Sequence, residues 1–117
     1  TLRELAALEQ AWQGMNTAGN DVQAFTRSDI AFHRILYASS HNPVYRQIGS
    51  MIDAALTFTI TATAALSPDE RAEAVRVHHD LVEAVRLRDP HAARQAAHNI
   101  LELAARDLAR AKKLVAE

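Results

Sequence analysis

All three prolines of this chain stand directly after a helix-capping residue: Asn42-Pro43, Ser67-Pro68 and Asp89-Pro90. Asn, Ser and Asp accept a hydrogen bond from a free amide at a helix start. Proline at the first helical position lacks only an N–H that would have no intrahelical partner there. In Ser67-Pro68-Asp69-Glu70 the glutamate completes a capping box, and Thr1-x-x-Glu4 has the same form without the proline. A further break, "AGND" from Ala18 to Asp21, separates two segments of helical periodicity.

These starts divide the chain into five helices, roughly 2–16, 21–40, 43–66, 68–88 and 90–115. Short connections make neighbouring helices pack antiparallel. No strand-like alternation competes, and no repeat of fixed period occurs. The expected fold class is all-α, an antiparallel helical bundle. A chain of 117 residues, 49 % apolar and 23 % charged, suffices for one domain with one modest core.

Several function classes drop out on composition. A net charge of −1 gives no basic excess of the kind that grips nucleic acid. The absence of cysteine removes disulfides, zinc–thiolate sites and thiol nucleophiles, and fits a reducing cytoplasm. The least polar run, Met51 to Leu66, contains Asp53 and four threonines and does not read as a membrane span. No signal peptide is visible, and a start at Thr1 without Met is expected of a processed or excised piece.

The chemistry concentrates where polar residues fall on apolar stripes. On the second helix the stripe is Val22, Phe25, Phe32 and Leu36. Asp29 lies four residues after Phe25 and three before Phe32, within it. His33 follows Asp29 by four, so both groups can reach one point. On the fourth helix the stripe is Val75, Leu81, Val82 and Val85, and His78 shares its face while His79 sits on the flank. On the fifth the stripe is Ala93, Ala97, Ile100, Leu101, Ala104 and Leu108, with His91, His98, Arg94, Gln95 and Glu102 on the opposite side.

Asp29, His33 and His78 therefore point inward from two helices. A buried carboxylate is costly unless paired or metal-bound. From spacing alone the trio reads either as a hydrogen-bonded polar cluster or as part of a shell for Zn²⁺, Ni²⁺, Mn²⁺ or Fe²⁺. On the third helix Ser50, Thr57 and Thr61 share one approximate face and offer hydroxyls. Arg46 near its start could pair with a carboxylate. The cations Arg106, Arg110, Lys112 and Lys113 read as a solvated face with favourable charge at a helix C-terminus. His41 reads as a loop residue.

Three stretches together resemble a known family: "DIAFH" (Asp29 to His33), "ASSHN" ending at Asn42, and His78 followed by "LVEAVRLRDPHAARQAA". They are similar to the FCD domain, the effector-binding C-terminal domain of FadR-type GntR transcription regulators. The likeness extends from about Leu5 to Leu108. It implies an antiparallel helical bundle that forms homodimers and binds a small organic acid, often a sugar acid, in a central cavity. It also implies a divalent metal held there by one Asp and three His, with Asp29, His33 and His78 matching the first three ligands. The family's fourth ligand, a His 22 residues beyond the position of His78, corresponds here to Ile100. His98 lies two positions away, about 200° round an ideal helix. The resemblance thus leaves three protein ligands, with water or effector filling the vacancy, or a site in which the polar trio touches the effector directly.

As a whole, residues 1–117 are expected to form an effector-binding and dimerisation domain lacking most of the family's first helix and its winged helix-turn-helix. DNA would be reached only through that missing part, with repression the expected mode. Two other functions compete. A helical-bundle metalloenzyme acting on a small carboxylate would suit an Asp-His-His shell. However, no general base lies near it, and paired Glu-x-x-His, His-Glu-x-x-His and nucleophile-elbow motifs are absent. A ligand-free dimerisation module would stay folded with Asp29→Asn and His78→Gln, and no small molecule would raise its melting temperature. The sensing domain is the reading taken, a binding protein and not an enzyme.

Overall fold

The computed structural model describes residues 1–39, 41–42, 44, 57, 60 and 68–116, with side chains through 110. Four helices run through these residues: α1 (Leu2–Thr17), α2 (Val22–Ala38), α3 (Pro68–Arg86) and α4 (Pro90–Ala116). No strand occurs among the described residues. The predicted third helix, 43–66, lies mostly outside them, although Val44, Thr57 and Ile60 within it are helical. No helix among the described residues is long and apolar enough to cross a membrane.

Side-chain caps set the helix starts at Leu2, Val22 and Pro90, while Ser67, read as the cap before Pro68, lies outside the described residues. Thr1 Oγ1 accepts from the Glu4 amide at 3.2 Å, and its hydroxyl reaches the Glu4 carboxylate at 3.1 Å. Asp21 Oδ1 accepts from the Ala24 amide and Asp89 Oδ1 from the Ala92 amide, each at 3.0 Å. Asn42 Oδ1 accepts from the Val44 amide at 2.9 Å, as an N-cap beside Pro43 should. Gly19, with φ +59, turns the chain out of α1. At the end of α3 the amides of Asp89 and Arg88 donate to the carbonyls of Ala84 and Val85, which closes a Schellman motif. The residue in its left-handed position is Arg88, with φ 55, where glycine is usual.

Helix α1 packs on both α2 and α3, and α3 packs on α4. The shared core comprises Leu8 and Met15 of α1, Phe25 and Phe32 of α2, Val77, Leu81 and Val82 of α3, and Ile100 and Leu103 of α4. Phe32, Met15 and Val82 are its largest fully enclosed side chains. Full burial of such side chains is worth about 1.5–3 kcal/mol each, so the amphipathic faces, more than helix propensity, hold the bundle. Two contacts fix α1. Gly14 lets α2 approach until a Cβ added there would lie 3.1 Å from Ser28 Cβ. The Trp12 indole N–H donates to the Val75 carbonyl of α3 at 2.9 Å.

The stripes on α3 and α4 are rotated from those read in the sequence. On α3, Val85 is exposed and Ala74, Val77, His78, Leu81 and Val82 face inward. On α4, Leu101 is 67 % exposed, whereas Ala96, Ile100, Leu103 and Asp107 are buried. Arg106 and Arg110 also differ from the expected solvated face: they pair with Glu73 and Glu70 and strap α4 to α3. The side chains of Lys112 and Lys113 lie outside the described residues.

Candidate metal centre

Asp29 and His33 stand one turn apart on α2, with the flanking Phe25 and Phe32 buried in the core. That anchoring turns the strip between the two rings toward α3. There His78, 4 % exposed, sits among Ala74, Val77, Leu81 and Val82, all of them buried. Its ring meets Phe32 edge-on at 5.0 Å between centroids and His33 at 5.6 Å. The three side chains singled out by spacing are thus brought together in the space between α2 and α3, where side chains and not backbones meet.

Their donor atoms converge. His33 Nε2 lies 3.2 Å from Asp29 Oδ1, and His78 Nε2 lies 3.3 Å from the same oxygen. All three atoms fall within 4.8 Å of one another. Proximity does not make hydrogen bonds here. Asp29 Oδ1 and His78 Nε2 are both buried and neither has a hydrogen-bond partner. The other nitrogen of His78 explains why. Nδ1 lies 2.7 Å from the Ala74 carbonyl, which can only accept, so Nδ1 carries the proton. With Nδ1 carrying the proton, the tautomer without a second one presents a bare lone pair at Nε2, facing a carboxylate oxygen. Two buried acceptors side by side are unfavourable unless a cation lies between them.

The donor set fits a divalent ion. A metal about 2.1 Å from each atom needs ligand–ligand edges of roughly 3.0 Å in octahedral and 3.4 Å in tetrahedral coordination. Two of the three edges, 3.2 and 3.3 Å, lie between these limits, and the third, between the two imidazole nitrogens, is no longer than 4.8 Å. Burial alone pushes the Asp29 carboxyl up, but a proton on the facing nitrogen of His33 or His78 more than offsets it and holds the group well below the usual carboxylate range. Asp29 is therefore an anionic donor at neutral pH. Its partner His78 has the tautomer-fixing backbone contact typical of histidine ligands.

No other described histidine joins the trio. His79 turns to the other side of α3 and packs on Trp12, with 4.4 Å between centroids. His98 is exposed and pairs with Glu102 on its own helix at 2.9 Å. Ile100 is buried in the apolar core. Of the proposed effector contacts, Thr57 is described, and its Oγ1 is buried without a hydrogen-bond partner. Arg46, Ser50 and Thr61 lie outside the described residues. His41, read from its position as a loop residue, places Nε2 2.6 Å from Glu4 Oε1. A partner 37 residues away leaves no local signal.

Comparison with known proteins places the chain in a family. The galactonate operon transcriptional repressor of Escherichia coli (strain K12) is 30 % identical over 108 residues, covering 92 % of this chain and 47 % of that protein. The chain thus spans about half the length of the curated relative it matches. No solved structure gives a significant match. The FCD domain family matches residues 1–103, a span that contains all four helix starts described above and the whole Asp29–His33–His78 cluster; the chain belongs to the FCD domain family.

Proposed function

We propose that this chain is the effector-sensing domain of a GntR-type transcription regulator, working as a repressor in the cytoplasm. In this reading Asp29, His33 and His78 hold a divalent metal, Zn²⁺, Ni²⁺ or Mn²⁺, beside which a small organic acid binds. Thr57, with its unpartnered buried hydroxyl, belongs to the acid's surroundings, as do Arg46, Ser50 and Thr61. A sugar acid such as galactonate is the first candidate, since the relative's name refers to a galactonate operon. The domain acts as a homodimer and reaches DNA through a winged helix-turn-helix outside this chain. The acid controls that reader only through different affinities for two arrangements of the dimer.

One observation carries the proposal. A buried carboxylate oxygen and a buried imidazole nitrogen lie 3.3 Å apart with no hydrogen bond between them. A cluster kept for folding alone would have satisfied its lone pairs.

A thermal-shift screen of sugar acids and short carboxylates, each with and without Zn²⁺, Ni²⁺ or Mn²⁺, tests it. A bound ligand at a hundred times its Kd stabilises by about 2.7 kcal/mol. Stabilisation by an acid that requires the metal and disappears in His33→Ala is the expected result. A flat response to every acid and metal overturns the proposal in favour of a ligand-free dimerisation module.

A further inference from the structure

Resting on the reading that the trio binds a metal, we infer that the ion is a dissociable co-ligand, so that metal availability itself tunes the domain's response to its acid.

Three observations carry this. First, Asp29, His33 and His78 are the whole donor group among the described residues. The neighbouring candidates His79 and His98 are committed elsewhere, to Trp12 and Glu102. Second, the donors are unequally anchored. His78 is oriented by its 2.7 Å contact with the Ala74 carbonyl. His33 has no such brace: beyond Asp29 it makes no hydrogen bond or ion pair among the described residues. An imidazole that is not pre-oriented loses rotamer freedom when it ligates, and a missing outer partner typically weakens metal affinity by about 10–100-fold. Third, the loose side of the site is its open side. The side chains of His33 and Asp29 are 18 % and 16 % exposed, against 5 % for His78. Water and competing chelators therefore reach the ion past the donor that holds it least.

Reversible loading has a regulatory consequence. An acid that adds oxygen donors to the vacant positions binds the loaded form more tightly. By linkage it raises metal affinity by the same factor. Metal and acid then act as a joint signal, and neither fills the site well alone.

The full chain, stripped with EDTA and dialysed, is titrated separately with Zn²⁺, Ni²⁺ and Mn²⁺. Bound metal is counted by equilibrium dialysis with elemental analysis, and release to excess EDTA is followed in time. The expected result is one equivalent per chain, removed by EDTA within minutes, with Mn²⁺ held most weakly of the three. His78→Gln should abolish binding. His33→Gln, at the more exposed position, should weaken it by about tenfold or more, with helicity unchanged by circular dichroism. Metal that co-purifies stoichiometrically and resists excess EDTA for hours overturns the co-ligand inference and leaves the metal-site reading standing. No bound metal at any concentration overturns both.

Discussion

His78 Nε2 lies 3.3 Å from Asp29 Oδ1, and the two atoms share no hydrogen bond although both are buried. This contact should make the metal-free protein less stable than its helices allow. Asp29→Asn supplies an amide N–H₂ where the carboxylate offered only lone pairs, so it can donate to His78 Nε2. One net hydrogen bond is worth about 1 kcal/mol. The substitution is expected to raise the stability of metal-free protein in mildly alkaline buffer and to remove any stabilisation by Zn²⁺. Urea denaturation with and without the ion measures both. Loss of stability in the metal-free form would show that the carboxylate is already well paired.

Arg88 closes α3 with φ 55. A left-handed conformation costs an L-residue roughly 1–2 kcal/mol, a penalty glycine avoids. The Arg88 side chain is exposed, so little packing is lost with it. Arg88→Gly should therefore stabilise the fold by about 1 kcal/mol, seen as a higher urea midpoint at unchanged slope.

Replacing glycine by alanine inside a helix ordinarily gains about 1 kcal/mol. Gly14 should behave otherwise. A Cβ there would sit 3.1 Å from Ser28 Cβ, with the Ser28 hydroxyl closer still. Gly14→Ala is expected to destabilise, and Ser28→Ala to recover part of the loss, so that the pair is non-additive by about 0.5 kcal/mol or more. Additive behaviour in a double-mutant cycle would mean that α1 and α2 separate freely.

Asp107 lies on the buried face of α4, where burial pushes its carboxyl up against the opposing pull of Arg106. A raised folded-state value means that the stabilising term is fully present below the unfolded value, about 3.9, and is lost as pH rises through the folded value. Asp107→Asn should thus stabilise the protein at neutral pH and give no gain in strong acid. Thermal melts of both proteins across pH test the sign.

What the sequence disclosed depended on range. Caps at Thr1, Asn42 and Asp89 were readable because donor and acceptor lie two or three residues apart. The Asp29–His33 pair was readable for the same reason, as an i,i+4 step on a phenylalanine-flanked face. That His78 meets it follows from α2 and α3 each burying one stripe, once both stripes are assigned. On α4 the stripe is not legible from periodicity. Alanines at 92, 93, 96, 97, 104 and 105 spread weakly apolar surface around the helix, so periodicity could not separate Leu101, which is exposed, from Leu103, which is buried. There the choice of face falls to tertiary packing. The ion pairs of Arg106 with Glu73 and of His41 with Glu4 join residues more than thirty apart and were equally unreadable.

Trp12 is the chain's single tryptophan, and its indole is hydrogen-bonded to the α3 backbone and packed on His79, the residue next to His78. The protein therefore carries a built-in optical probe packed one residue along the chain from His78 of the Asp29–His33–His78 cluster. Any displacement of α3 alters the polarity and quenching around that fluorophore, so occupancy can be followed by intrinsic emission without attaching a dye.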